Sequence, residues 1–406
     1  MQIKPILSSL KKHRLATFLI AMEIALACAV LCNAVFLIAN RLSAMNLNSG
    51  VDEASLGAIV VTGFDPAQTS DLNARMVAGL RTVPGVESAQ VISSVPFGAQ
   101  SLVAGISLDP SGKKTPAVVQ FYQGPPGTPE TLGLHLQAGQ LPATGDYQPL
   151  PGQDYFPAAS QVLVTRALAE HLWPGENPLG RMFWMAKWQF RVIGVMDHLA
   201  VSQYTEYGVR GAEWSVFVPT LAGGQLAGAY LIRAKPQDID RVMTGARAAV
   251  AKIAPEVVLD HENSHSVSAL RERFFQTDRT MAGILLGVIT ALLLVTALGI
   301  VGLASFWVQQ RRRQIGIRRA IGATRRDILH YFQTENFLIV SLGIVLGMVL
   351  TYALNLLLMT HYELPRLPLV YLPIGALALW GLGQLAVLGP ALRAAAVPPV
   401  VATRSV

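Results

Sequence analysis

The chain has 406 residues, of which 52% are hydrophobic and only 14% charged, and its mean hydropathy is +0.42. Soluble domains carry roughly 25% charged residues, so this composition argues against an ordinary soluble enzyme, and its apolar content argues against intrinsic disorder. The formal charge of +7, from 32 Lys+Arg against 25 Asp+Glu, fits nucleic acid, anionic lipid or an acidic partner, and the positions of the charges decide among these.

Residues 1–14 are a basic lead with Lys4, Lys11, Lys12 and Arg14. Residues 15–39 form the first apolar stretch long enough to span a bilayer, which needs about 20 residues. A signal peptide is the competing reading. The run exceeds the roughly 7–15 apolar residues of such a segment, and no small-residue cleavage site stands out before Arg41. Glu23 lies within this stretch and is a functional candidate, since carboxylates inside spans are costly. The bland reading is a helix–helix hydrogen bond or snorkelling. Cys28 and Cys32 lie four apart on one face of the same span. They read as small residues at a helix contact rather than a metal pair.

Residues 40–280 read as a mixed α/β domain, with room for two subdomains. Leu56–Phe64 is a β-rich run, and Asp71–Thr82 has apolar Leu72, Met76 and Leu80 at helical spacing. Val86–Ser93 reads as a return strand, closing a β-α-β unit. Gln123–Asp154 is rich in Gly and Pro and is expected to hold little regular structure. Strands follow at Gln161–Thr165, Trp188–Val195, Glu213–Pro219 and Ala229–Ala234, with a helix at Arg166–Leu172. A second helix over Pro236–Ile253 and a strand at Val257–Leu259 close a second β-α-β arrangement. A helical pattern from about Val267 leads into the next span.

The second span is 281–308, without a charge. A loop at 309–336 precedes a third span at 337–359. A short loop, 360–371, precedes a shorter, Gly-rich fourth span at 372–389, and 390–406 is the tail. Lys and Arg in short loops set orientation. The lead, the 309–336 loop and the tail hold 13 basic residues against Asp327 and Glu335, a net +11, whereas Arg41–Thr280 holds 18 basic and 21 acidic, a net −3. Both termini and the Arg-rich loop are thus expected in the cytoplasm and the large domain outside. The expected fold is integral membrane α-helical, with four transmembrane helices and a large α/β extracytoplasmic domain inserted between helices 1 and 2.

Catalytic signals are absent. There is no G-x-x-x-x-G-K-[ST] phosphate loop and no H-E-x-x-H, and Ser93, Ser94 and Ser202 lack a G-x-S-x-G context. His261 and His265, with Glu262 nearby, have i, i+4 spacing, but a metal site needs further ligands, and a solvated loop is the plain reading. No catalytic residue and no metal ligand is expected on this polypeptide.

The sharpest signal is the loop QQRRRQIGIRRAIGATRRDILHYFQTEN, Gln309–Asn336. Read as one helix, Ile317, Ile321, Thr324, Ile328 and Phe332 share a stripe, with Arg318, Arg319, Arg325 and Arg326 off it. A basic amphipathic helix on anionic lipid is the plain reading. Gly316 and Gly322 each weaken such a helix by about 1 kcal/mol relative to Ala. They make better sense as a bend or a close backbone approach.

RRRQIGIRRAIGATRRDI, Arg311–Ile328, resembles the signature of FtsX-like permeases, the membrane subunits of MacB-type ABC transporters. Arg313, Ile315, Gly316, Ile317, Arg318, Arg319, Ala320, Ile321, Gly322, Ala323 and Thr324 carry the likeness, and Gln314 replaces the usual Glu. The tail is similar through Arg393, Ala394, Ala395, Pro399, Val400, Ala402 and Arg404. The run Ala167–His198 is similar through Asn177, Pro178, Leu179, Gly180, Arg181, Phe190, Val192, Ile193, Gly194 and Val195.

The resemblance implies a permease subunit of the bacterial inner membrane, working by mechanotransmission. The residues from Arg313 to Thr324 that match would couple it to a separate ABC ATPase, which binds ATP and Mg; no cofactor is implied on this chain. A second permease, identical or a sister, would complete a dimer. A membrane-fusion adaptor and membrane lipid are further partners, and nucleic acid is not. Efflux or extraction of a periplasmic or outer-leaflet substrate is the implied function. The alternative is an FtsX-like regulatory protein that activates a periplasmic partner without transport.

Overall fold

The computed structural model describes residues 14–98, 102–150, 154–202, 211–362 and 367–398. Lys4, Lys11, Lys12, Glu363, Arg366, Pro399, Val400, Ala402 and Arg404 lie outside the described residues. The chain divides into a helical unit, residues 1–43 and 278–406, and an α/β unit, Ala44–Thr277.

The helical unit contains four helices long and apolar enough to cross a membrane among the described residues. They lie within α1 (Arg14–Met45), α7 (Gln276–Gln310), α9 (Arg325–Tyr362) and α10 (Tyr371–Ala395). Each is longer than the apolar stretch read from the sequence, because the helices continue into polar ends. A short α8 (Arg312–Ala320) precedes α9.

The α/β unit is built on β1 (Leu56–Thr62), α2 (Thr69–Arg81), β2 (Val86–Val91), β3 (Leu102–Ile106), β4 (Ala117–Gly124), α3 (Thr128–Leu132) and β5 (Leu136–Gly139). It continues through β6 (Ala159–Thr165), α4 (Arg166–Leu172), β7 (Met182–Met185), β8 (Trp188–Met196), β9 (Ser215–Pro219), β10 (Ala229–Ala234), α5 (Ile239–Ile253), β11 (Val258–Leu259) and α6 (Val267–Phe274). The Gly- and Pro-rich stretch at 123–154 is more ordered than its composition implies. Gly127 and Gly133, both at positive φ, bracket α3, and β5 pairs with β8.

Two sheets result. The smaller has the order β11-β1-β10-β2, with β10 antiparallel to both neighbours. Each β-α-β unit read from the sequence is therefore split: β10 lies between β1 and β2, and β1 between β10 and β11. This is the split β-α-β arrangement of ferredoxin-like folds. The larger sheet has the order β3-β4-β9-β6-β8-β5, with β7 paired to β8.

β1 reads as a continuous apolar run because both of its faces are covered. Ile59 and Val61 join Leu72, Met76 and Leu80 of α2 and Val242, Ala246 and Val250 of α5. Leu56, Ala58 and Val60 join Tyr122, Leu163 and Phe217 of the larger sheet. The other face of that sheet packs Phe121, Phe190 and Val216 under Leu168 and Leu172 of α4. Arg271 of α6 closes the unit on itself, donating to the carbonyls of Met45 and Leu47 at 2.6 Å each.

The helical unit packs through small residues. A Cβ at Gly343 of α9 would lie 2.7 Å from Ile24, and one at Gly347 would lie 2.5 Å from the Cβ of Cys28. A Cβ at Gly375 of α10 would lie 2.4 Å from the Cys32 sulfur. The two thiols thus sit in a helix contact. Where no hydrophobic effect drives association, close backbone approach is what holds helices together. Asn336 adds a hydrogen bond to the Gly383 carbonyl, 2.8 Å, and Trp380 one to Ser341, 3.0 Å.

Candidate functional site

The helical stripe read across the Arg-rich loop is not one helix. α8 ends in a Schellman motif: the Ala323 amide donates to the Arg318 carbonyl at 3.0 Å and the Gly322 amide to the Arg319 carbonyl at 3.2 Å. Gly322 sits at φ +107°, a conformation that favours glycine. α9 starts directly after. Thr324 and Asp327 form a reciprocal cap, with the Thr324 amide donating to Asp327 at 2.9 Å and the Asp327 amide to Thr324 Oγ1 at 3.2 Å. Ile-Gly-Ala-Thr-x-x-Asp is therefore a helix stop joined to a helix start.

This turn redistributes the stripe. Ile328 and Phe332 are buried, and Ile315 packs beside them. Ile317 is 44% exposed and Ile321 81% exposed, at the tip. Gly316 is buried, Ala323 is half-buried, and Arg313, Ala320 and Thr324 are exposed.

The arginines divide into two groups. Arg311 makes two 3.0 Å hydrogen bonds to Glu335 of α9, whose side chain is 1% exposed. Arg319 donates to the carbonyls of Ala395 and Val397 at the end of α10, at 3.2 and 2.7 Å. Arg318 lies over the Tyr331 ring, 4.9 Å from its centroid. These three brace α8 against α9 and α10. Arg312, Arg313, Arg325 and Arg326 are exposed and enter no ion pair among the described residues. Sequence reasoning placed all of them in one basic surface, and Glu335, the buried partner of Arg311, was missed as a functional residue. Its lone negative charge at the mouth of an apolar span was the available signal.

Glu23 is half-buried on α1, facing α7: a Cβ at Gly299 would lie 2.8 Å from its carboxylate. The glycine admits the carboxylate to the helix backbone. His261 and His265 fall on the loop before α6, and no group of metal-ligating side chains occurs among the described residues. Desolvation, with Arg273 and Arg247 nearby, holds the His265 pKa below its usual value.

Comparison with known proteins bears directly on this arrangement. Residues 17–258 match the MacB-like periplasmic core domain, and residues 286–399 match the FtsX-like permease C-terminal region. The first match covers more than half of the chain, and the chain belongs to this family of FtsX-like ABC transporter permeases with a MacB-like periplasmic domain. It is 28% identical over 205 residues to a macrolide export ATP-binding/permease protein MacB of Marinobacter nauticus, covering 50% of this chain and 31% of that one. It is 30% identical over 258 residues to the MacB of Azoarcus sp., covering 61% and 38%. The chain thus spans about a third of the length of the curated relatives it matches. The crystal structure of the periplasmic region of MacB from Actinobacillus actinomycetemcomitans aligns with 56% of this chain and 96% of its own, at 14% identity and a TM-score of 0.36. Spanning-length helices together with a periplasmic-type domain fit a protein of the bacterial inner membrane.

Proposed function

We propose that this chain is the transmembrane permease subunit of an ABC transporter, with both termini cytoplasmic. A separate ATPase subunit, carrying ATP and Mg, docks on the turn between α8 and α9. Its closure moves the periplasmic domain, driving efflux or extraction of a substrate from the periplasm or the outer leaflet. A second permease completes the assembly.

One observation carries this reading. Ile321 is the most exposed large apolar side chain of the helical unit among the described residues, yet it sits on the tip of a rigidly braced turn. The Schellman motif, the cap and the Arg311 and Arg319 bonds all fix its position, and none of them uses its side chain. A pre-formed apolar knob on a turn that is followed directly by the exposed Arg325 and Arg326 fits a groove in a protein with an acidic rim. Burying an Ile side chain is worth about 1.5–3 kcal/mol, so Ile321→Asp should weaken association with the ATPase by roughly tenfold or more. Co-purification of the tagged chain with the ATPase measures this. Unchanged recovery with Ile321→Asp sinks the proposal. Charge reversal at Arg319 is a poorer probe, because it also unfastens α10.

A further inference from the structure

An open cleft of about 520 Å³ lies in the α/β unit, within the size range of small-molecule sites. Its walls come from residues 48–52, 130–135 and 197–198, with Arg233 of β10. Two glycines at positive φ let these walls approach. A Cβ at Gly50, φ +76°, would lie 2.0 Å from the His198 carbonyl oxygen, and one at Gly133, φ +74°, would lie 2.8 Å from Arg233 Nη2. Among the described residues, Val51 supplies the one aliphatic side chain of the lining, beside Asp52, Glu130, His135, Asp197 and His198. Such walls suit a charged, water-soluble ligand.

The charges around the cleft are not closed on one another. Arg166 stands 3.6 Å from Asp197, His198 Nε2 3.7 Å from Asp197, and Arg233 4.0 Å from Asp52, each beyond hydrogen-bond distance. Elsewhere in the unit, Arg75 closes on Asp71 at 2.8 Å and Arg241 on Asp238 at 2.9 Å. Glu130 enters no ion pair among the described residues. With Arg166 and Glu213 behind the lining counted, four carboxylates face two guanidinium groups. His198 adds a directional cue. Its Nδ1 lies 3.0 Å from Glu213, whose carboxylate only accepts, so Nδ1 carries a proton. In the neutral ring Nε2 is then an acceptor facing a second acceptor, Asp197. An ammonium group can donate to both.

We infer that the cleft binds a linear polyamine. One ammonium sits between Asp197 and His198 Nε2, and a second meets Glu130. Two ammonium groups are called for because the open acceptors lie on two separate walls, 130–135 and 197–198, of a cleft far larger than one such group. Binding here is separate from coupling at the turn between α8 and α9 and requires no ATPase.

The test titrates spermidine into the full chain in neutral detergent at low salt and reads the heat of binding. One saturable site is expected. A partly exposed ion pair contributes up to about fivefold in affinity, so Asp197→Asn and Glu130→Gln should each weaken binding about fivefold. n-Butylamine, with a single ammonium, should bind about fivefold more weakly than spermidine. Both substitutions keep the shape of the side chain, and hydrogen exchange across β6 and β8 should match the parent, which confirms that the variants fold. Glu87→Gln with Glu170→Gln removes two exposed carboxylates outside the cleft and should leave binding unchanged. Absence of a saturable site for spermidine in the parent chain overturns the inference. So does affinity that survives either cleft substitution, or affinity lost with the Glu87 and Glu170 changes, which would mark diffuse attraction to an acidic surface.

Discussion

The two units bury the same kinds of residue in opposite ways. In the α/β unit large aromatics are hidden: Phe121, Phe156, Phe183 and Phe190 are fully buried, packed ring to ring at 4.8–5.3 Å. In the helical unit Leu298 is 70% exposed and Leu385 72%, while Cys28, Ala27 and Gly375 are buried. The first unit folds by removing large apolar surface from water. The second displays its large apolar surface and packs through its small residues, the pattern expected where the solvent is hydrocarbon. Unequal solvents also explain the arginines. In the α/β unit Arg75 forms exposed pairs with Asp71 and Glu256. The hydrogen bond from Arg75 holds the Glu256 pKa below its usual value. In the helical unit Arg311 is drawn to a buried carboxylate at the end of an apolar helix.

Three substitutions put pressure on this contrast. Phe190→Ala should cost the most, about 3–5 kcal/mol, by opening a cavity among the rings of Phe121, Phe156 and Phe183. Faster hydrogen exchange in β6 and β8 of the full chain in detergent is the readout. Gly347→Val should cost about 1–3 kcal/mol by forcing α9 away from Cys28 and Ala25, seen as a lowered unfolding midpoint with the α/β unit unaffected. Leu298→Ala should change stability by less than about 0.5 kcal/mol despite removing an isobutyl group. A cost from Leu298→Ala as large as that from Phe190→Ala would show that this face of α7 is covered by protein rather than lipid, and the comparison between the units would break there.

Legibility in the sequence followed the same divide. β10 and α4 were read with the bounds they have, since each has a single clear period and a clean stop. β3 and β4 were not read at all. β4 is buried on both faces and carries Gln120 and Gln123, which satisfy Ser94, Ser202 and the Tyr155 carbonyl inside the fold. Polar residues paired by distant partners look like loop in a single sequence. β7 is four residues long and is held by pairing with β8 and by a two-bond bridge from Trp184 to Ser107.

In the candidate site, the motif residues were visible but their division of labour was not. A helical period carried straight through Gly322 placed Ile317 and Ile328 on one stripe. The Gly after the last helical turn and the Thr-x-x-Asp that follows were the local signals of a stop and a restart. The bracing bonds were out of reach, because Arg311 and Glu335 lie 24 residues apart and Arg319 and Ala395 76. Bracing separates what looked like one basic patch into arginines that hold the turn and arginines that stay exposed.

The central claim is that the Ile321 tip is a docking point for an ATPase. Cys28 and Cys32 are buried at 0% and 1% exposure, so a single introduced surface cysteine can be labelled selectively with a maleimide photo-crosslinker. In membranes containing the ATPase, Ile321→Cys should yield a covalent adduct between the two chains, and Leu298→Cys on the apolar face of α7 should yield none. An adduct absent from Ile321→Cys under conditions where the complex is intact would contradict the account.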